Sequence, residues 1–238
     1  MKCITELHNK YKNQPIWLVG SGPTLEDYPD NFLDNKISIA LHLAYLKFPN
    51  TTYNYFSECD RLSYLVEKED NIFNKKIIVG WPFYGKTQEE SLKLIKDFKE
   101  VYYMKRLSFP PDGKMRAETA DRSFEYMKKR VKVAKKASSN LFYDYTTCAH
   151  MGMYAAIILG GNPINIIGCD FRSINGKEHY GIVNKIDAEM RPTFPSFSES
   201  SRGNYMSKGM ESIIEGCKEE GIRVNWYSNY LEFKKKYG

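Results

Sequence analysis

Long hydrophobic runs are missing from this chain, and no uninterrupted apolar stretch would cross a bilayer. The opening residues Met1-Lys-Cys-Ile-Thr-Glu-Leu-His8 contain no apolar core of the kind a secretory leader needs, so no signal peptide is expected. Cysteine is sparse. Cys3, Cys59, Cys148, Cys169 and Cys217 are odd in number and form no Cys-x-x-Cys pair. That argues against a disulfide framework and for reduced thiols in a cytoplasmic protein. Four histidines are present, none at metal-ligand spacing with Cys or Asp, so no bound metal and no other cofactor is expected. A Gly-x-Ser-x-Gly elbow, a Gly-Lys-Ser/Thr phosphate loop and the third glycine of a dinucleotide fingerprint are all absent. The net charge of +6 is too small to imply a nucleic-acid partner, although it suits phosphorylated ligands.

What the chain does have is enough apolar content, 42% of 238 residues, for one large core. Its eighteen tyrosines are suited to burying a ring while offering a hydroxyl to a sugar or phosphate. Apolar segments at 16–19, 36–41, 52–56, 75–80, 100–104, 162–168 and 222–226 read as strands. Between them lie helical patterns at 61–68, 87–99, 147–159 and 205–221. This alternation predicts an α/β fold with a doubly wound, mainly parallel sheet of about seven strands. Residues 1–238 are read as a single domain. An insertion at about 108–140 carries the basic run Lys128–Lys136, and a loop at about 172–203 is long enough to serve as a lid. The basic run is explained either by a solvated helix face or by contact with an acidic acceptor or an acidic membrane surface, at the inner face of a membrane. A homo-oligomer is equally compatible with the composition.

The stretch Ile16-Trp-Leu-Val-Gly-Ser-Gly-Pro-Thr-Leu25 organises the rest. A short buried strand stops at Gly20-Ser21-Gly22-Pro23 and feeds a helix start at Thr24, leaving backbone N–H groups available to a phosphate. In open α/β sheets ligands bind beyond the carboxyl ends of the strands. The polar residues there are Ser21, His42, Ser57, Glu58, Asp60 and Asp170, joined by Thr146 and Thr147 at the start of the apolar helix. Asp170 is placed either to hold ribose hydroxyls or to cap its own loop. Thr147 is explained equally by phosphate binding and by ordinary N-capping. His150 reads as a core residue and His8 as an exposed one in an N-terminal helix. His179 or Tyr180, in the segment after Asp170, would stabilise a leaving phosphate.

Two separated motifs carry a resemblance. Strand–Gly20-Ser-Gly-Pro-Thr-Leu25 and Thr147-Cys-Ala-His-Met-Gly-Met-Tyr-Ala-Ala-Ile-Ile-Leu-Gly-Gly-Asn-Pro-Ile-Asn-Ile-Ile-Gly-Cys-Asp-Phe171 together resemble the bacterial sialyltransferases of glycosyltransferase family 42. They also resemble the related Maf-type flagellin-modifying glycosyltransferases. The resemblance covers about a quarter of the chain. It implies a Rossmann-like domain with a lid, binding a CMP-activated sugar without a metal and passing the sugar to a glycan acceptor. By the same resemblance Gly20, Ser21, Gly22 and Pro23 would face the nucleotide phosphate or sugar. His42, Ser57 and Glu58 would line the donor site, Thr147 and Cys148 would lie near phosphate and carboxylate, and Gly168, Asp170 and Phe171 would cradle ribose and base. Tyr180 would take the place of a lid tyrosine, and Arg172 stands where the family has a phosphate-binding Tyr. Tyr145 replaces a family Arg, and the family's catalytic His before the last helix has no counterpart. A general base would then be His179, Glu58 or Asp60. Two other functions fit the same residues: a Mg²⁺-dependent pyrophosphokinase of the pterin type, and a silent nucleotide- or glycan-binding module.

Overall fold

Predominantly apolar segments become central strands, because a parallel sheet is covered on both faces. All four residues of β2 (Ile16–Val19) and of β8 (Ile164–Ile167) are buried. The computed structural model describes residues 1–84, 87–108, 117–144, 147–172, 174–175, 177, 179–190, 202–227 and 234–235. Among these the other strands are β1 (Lys2–Cys3), β3 (Ile37–Leu41), β4 (Tyr53–Glu58), β5 (Lys76–Tyr84), β6 (Glu100–Ser108), β7 (Leu141–Asp144) and β9 (Val224–Trp226). They form one sheet in the order β1-β6-β5-β4-β3-β2-β8-β9, and every strand pair is parallel. β1 lies beside Tyr102–Tyr103 and β7 beside Lys105–Ser108, so these two short strands share one edge of β6. They are the strands beyond the seven expected.

Period-two alternation sends neighbouring residues to opposite faces. Ile16 and Leu18 join a core with Met127 and Val131 of α3 (Ala117–Lys135), with α4 (Cys148–Ile158), and with Met210 and Ile213 of α6 (Arg202–Glu219). Trp17 and Val19 join the other core, with Leu62 and Leu65 of α1 (Cys59–Lys68), Ile95 of α2 (Gln88–Ile95) and Val183 and Ile186 of α5 (Gly181–Met190). Helices thus cover both faces, as a doubly wound fold requires. The chain steps from β2 outward to β6, then returns to lay β8 against the free side of β2. β2 and β8 are neighbours whose onward connections run in opposite directions, which makes the gap between their C-terminal ends the switch point of the sheet.

Several local expectations change. The segment read as an insertion contributes α3, whose Met127, Val131 and Ala134 are fully buried. Its basic run is matched by carboxylates of α6 and its flank: Lys128 pairs with Glu215 and Glu219, and Lys135 with Glu220. Part of the expected lid loop is the helix α5. The helix expected from Thr24 is a five-residue 3-10 helix, Pro23–Asp27, halted because Tyr28 precedes Pro29 and takes the extended backbone that a following proline favours. His8 lies in a turn after the 3-10 helix Ile4–Leu7, with Nε2 2.9 Å from Lys135 O, rather than in a longer helix. In α2, Ile95 is buried and Leu92 is exposed, so its apolar face is narrower than the sequence suggests.

α4 is apolar all round and is buried from Ala149 to Ile158. Its last carbonyls are satisfied from outside: the N–H groups of Asn9, Tyr11 and Asn13 donate to Ile158 O, Leu159 O and Gly160 O at 2.8–2.9 Å. No helix among the described residues is long and apolar enough to cross a membrane.

Candidate functional site

The two turns at the switch point are locked together by their backbones. Gly20 N–H donates to Ile167 O (2.9 Å), and Gly22 N–H donates to Gly168 O (2.7 Å). A Cβ on Gly20 would lie 2.2 Å from Gly168 O, and one on Gly22 would lie 2.4 Å from Asp170 Oδ2. Glycine is therefore required because the Gly168 backbone and the Asp170 carboxylate occupy the space, which is a different reason from the one the sequence suggested. Gly168 adds a left-handed backbone, φ +64°.

Asp170 completes the lock. Its Oδ2 accepts from Thr24 N–H (3.0 Å), and its Oδ1 accepts from the Thr24 hydroxyl (2.8 Å). Burial raises the Asp170 pKa above the usual aspartate range, against the Thr24 hydrogen bonds, which lower it. Asp170 thus holds the facing turn through Thr24, rather than capping its own loop as one of the two sequence readings had it. The N–H groups expected to be open to a phosphate at Gly20, Gly22 and Thr24 are all engaged within the protein.

A histidine hangs over this lock. His179 Nδ1 lies 3.0 Å from Ser21 Oγ, and the next residue, Tyr180, donates its N–H to Ser21 O at 2.9 Å. Gly181 N–H and Lys177 Nζ both reach Glu26, which ties the start of α5 back to the 3-10 helix. Burial, and then the Arg61 charge, lower the His179 pKa to about 4, so its imidazole is neutral at physiological pH. The Tyr180 ring is buried among the α5-side core, and its hydroxyl donates to Leu43 O at 3.4 Å. That side chain anchors the histidine.

The neighbouring strand ends contribute further polar groups. His42, itself in a left-handed backbone (φ +51°), places Nε2 3.0 Å from Ser57 Oγ. Glu58 ends β4 and pairs with Arg61, one turn into α1, with Oε2 3.6 Å from Nε. Asp60 lies in the first turn of the same helix. Thr147 accepts from Ala149 N–H (3.3 Å) as the N-cap of α4. Next to it Cys148 is a protonated thiol, its pKa pushed up to about 12 by burial and then by the Glu58 charge. Arg106 and Asp144, on the paired strands β6 and β7, form a buried ion pair whose charges also act on Cys148 and on the Tyr55 hydroxyl.

Pro23, Ser21, Gly22, Gly168, Asp170, His179 and Tyr180 are thus one assembly, with His42, Ser57, Glu58 and Cys148 at the ends of neighbouring elements. Phe171 turns the other way, packing edge-on against Trp226 at 5.8 Å and near His150 at 6.2 Å. Arg172 is exposed, and its charge lowers the Asp170 pKa. Thr146 and Tyr145 lie outside the described residues. Thr24 was read from the sequence only as a helix start, and Arg61, Arg106 and Asp144 were not singled out. The signals for them were a Thr two residues past the glycine turn, an Arg three residues past Glu58, and charges inside apolar strands. Among the described residues no group of three or more His, Cys, Asp or Glu is placed to hold a metal.

His150 supports the site from below. It is fully buried within α4, and its Nε2 donates to Met206 O at 2.8 Å. Burial outweighs that bond and lowers its pKa to about 4. Above pH 6.5 the imidazole is neutral in both the folded and the unfolded chain. Between 6.5 and about 4 only the unfolded chain takes up the proton, so stability should fall as pH drops through this window, by up to about 3 kcal/mol. Denaturant unfolding at pH 7.5, 5.5 and 4.5 measures this, and a His150→Gln variant should show a visibly shallower loss. Parallel profiles for the two proteins would rule the mechanism out.

No protein-family model matches the chain, and no curated protein matches its sequence. Among solved structures, the chain is similar to the MAf glycosyltransferase from Magnetospirillum magneticum AMB-1, at 17% identity and a TM-score of 0.44 over 71% of this chain. It spans about a quarter (25%) of that protein's length. It is also similar to the sialyltransferase CstII from Campylobacter jejuni in complex with cytidine-5'-monophosphate, at 14% identity and a TM-score of 0.48, covering 92% of this chain and 83% of the other. Against CstII with the substrate analogue CMP-3FNeuAc the identity is 17% and the TM-score 0.42, over 90% and 79% of the two chains.

Proposed function

We propose that this chain is a sialyltransferase-like glycosyltransferase, moving a sugar from a CMP-activated donor to a glycan acceptor without a metal cofactor. One observation supports the reading above the others. The two motifs that resemble the family in sequence fold to the same end of the sheet and interlock at its switch point, where an open α/β sheet binds nucleotides. The donor would lie over the Gly20–Thr24 and Gly168–Asp170 turns. His179, neutral and oriented by Ser21, is the base proposed for the acceptor hydroxyl, filling the role of the family histidine that this chain lacks. The singly charged phosphodiester of the donor, gaining negative charge as CMP departs, would raise its pKa from about 4 toward a more useful value. In-line attack on the sugar carbon opposite the leaving CMP would invert its configuration.

Thermal unfolding in the presence of CMP, CDP, UDP and ATP, each with and without Mg²⁺, tests the reading. At a hundredfold excess over Kd a ligand adds about 2.7 kcal/mol, and each kcal/mol moves Tm by roughly 2–4 °C at this chain length. The expected result is a rise with CMP that EDTA does not reverse. Stabilisation by ATP only with Mg²⁺ would instead assign the pyrophosphokinase chemistry. CMP binding with no release of CMP from a CMP-sugar, over a panel of glycans, would reduce the protein to a binding module.

A further inference from the structure

A glycine turn holds a phosphate through N–H groups that point outward. Here those of Gly20, Gly22 and Thr24 point at Ile167 O, Gly168 O and Asp170, and the Asp170 carboxylate adds negative charge beside the turn. With these three N–H groups engaged, a cation from another element is the strongest partner an oxyanion could meet in this crevice. Among the described residues four cations act on its groups. Arg106 is committed to the fully buried Asp144. Lys177 is half-exposed and 3.9 Å from Glu26. Arg172 is exposed and acts on Asp170. Arg61 differs from all three. It stands in the first turn of α1, just past the end of β4, and is only 8% exposed. Its Nε lies 3.6 Å from Glu58 Oε2, and its charge reaches both His179 beside Ser21 and Cys148 at the start of α4.

We propose that Arg61 is the anion-binding side chain of this crevice, meeting an oxyanion of the donor with its planar guanidinium. The proposal rests on the donor reading above and extends it to a residue that the sequence motifs do not contain. A guanidinium matches phosphate and carboxylate oxygens in a two-pronged geometry that an ammonium cannot reproduce. Both sources are present in a CMP-linked sugar acid: the nucleotide phosphate and the sugar carboxylate. Arg61 also places a fixed positive charge where negative charge collects as CMP departs.

Titration calorimetry on the full chain, with CMP, cytidine and free sialic acid as probes, tests this in Arg61→Gln and Arg61→Lys. If the phosphate is the partner, Arg61→Gln weakens CMP at least tenfold and leaves cytidine unchanged. If the carboxylate is the partner, sialic acid loses affinity and CMP keeps it. Arg61→Lys, which keeps the charge and guards against loss of fold in the Gln variant, should retain part of the affinity in either case. An equal loss for cytidine and CMP would mean a structural role and overturn the proposal. So would unchanged binding of all three probes, or a CMP loss seen in Arg172→Gln and not at Arg61. Should wild-type protein bind none of these probes, the CMP reading falls on its own. UDP and inorganic pyrophosphate then decide Arg61: binding that Arg61→Gln abolishes retains the anion site, and binding indifferent to it, or none at all, overturns it.

Discussion

Replacing Arg106 by Met should destabilise the protein by about 3–5 kcal/mol, because it strands a carboxylate with no access to water. The Asp144 side chain is 0% exposed and that of Arg106 is 9% exposed. Burial is the largest single effect on the guanidinium and would lower its pKa, yet the Asp144 charge, Tyr55, the Asp144 hydrogen bond and Glu58 together outweigh it and the net shift is upward. The guanidinium is therefore held charged against Asp144, in a place that water scarcely reaches. Removing one partner leaves the whole desolvation cost of the other. Removing both is a different experiment: an Arg106→Met, Asp144→Leu double variant should recover most of the loss, since well-packed apolar replacements of buried pairs are often neutral or better. Urea unfolding of the two single variants and the double one gives the coupling energy directly. An Arg106→Met protein within about 1 kcal/mol of wild type would mean that Asp144 is not stranded, and the account of the pair would fail.

Gly168→Ala is expected to cost roughly 2–5 kcal/mol, from two sources that a control separates. The left-handed backbone, φ +64°, penalises any Cβ by about 1–2 kcal/mol. The new methyl would also sit 2.5 Å from Gly20 O, a backbone atom that cannot swing aside, and overpacking of this kind adds about 1–3 kcal/mol. Gly221 supplies the control. Its φ is +72°, and a Cβ there meets nothing within 4 Å. Gly221→Ala should therefore pay the backbone penalty alone. Chemical denaturation of both variants should give a clear excess at Gly168, together with loss of nucleotide binding in that protein only. Equal costs would show that the two turns can part without penalty, and the lock at the switch point would lose its meaning.

Much of this architecture was legible because buried strands announce themselves. Ile16–Val19 is a short apolar run and Ile164–Ile167 one broken only by Asn165; both are bounded by Gly and Pro, and both became central strands. β7 was missed because Leu-Phe-Tyr-Asp ends in a charge, and the partner that satisfies Asp144 lies 38 residues away on β6. The 3-10 helix at Pro23–Asp27 was overcalled for a related reason. Thr24 looked like a helix start, and nothing local revealed that Asp170 would claim its N–H and hydroxyl. Within the candidate site, residue types that end strands were found readily. The direction each side chain takes was not, since Phe171 and Tyr180 both turn into cores, one on each face. Arg61 stayed hidden because an Arg near the start of a polar helix reads as surface until its burial is known.

The bond between Thr24 and Asp170 joins residues 146 apart in the chain. Closing so wide a loop carries an entropy cost that is met before any contact within the site contributes. A chain emerging from the ribosome completes β2 to β6 while the flank of β2 that receives β8 still has no neighbour. The Ile16–Val19 edge then waits, with its backbone donors and acceptors unpaired, for the last third of the molecule. The crevice is accordingly a late product of folding. Its formation reports that β8 has docked on β2, and the exposed edge before that point is where self-association would begin.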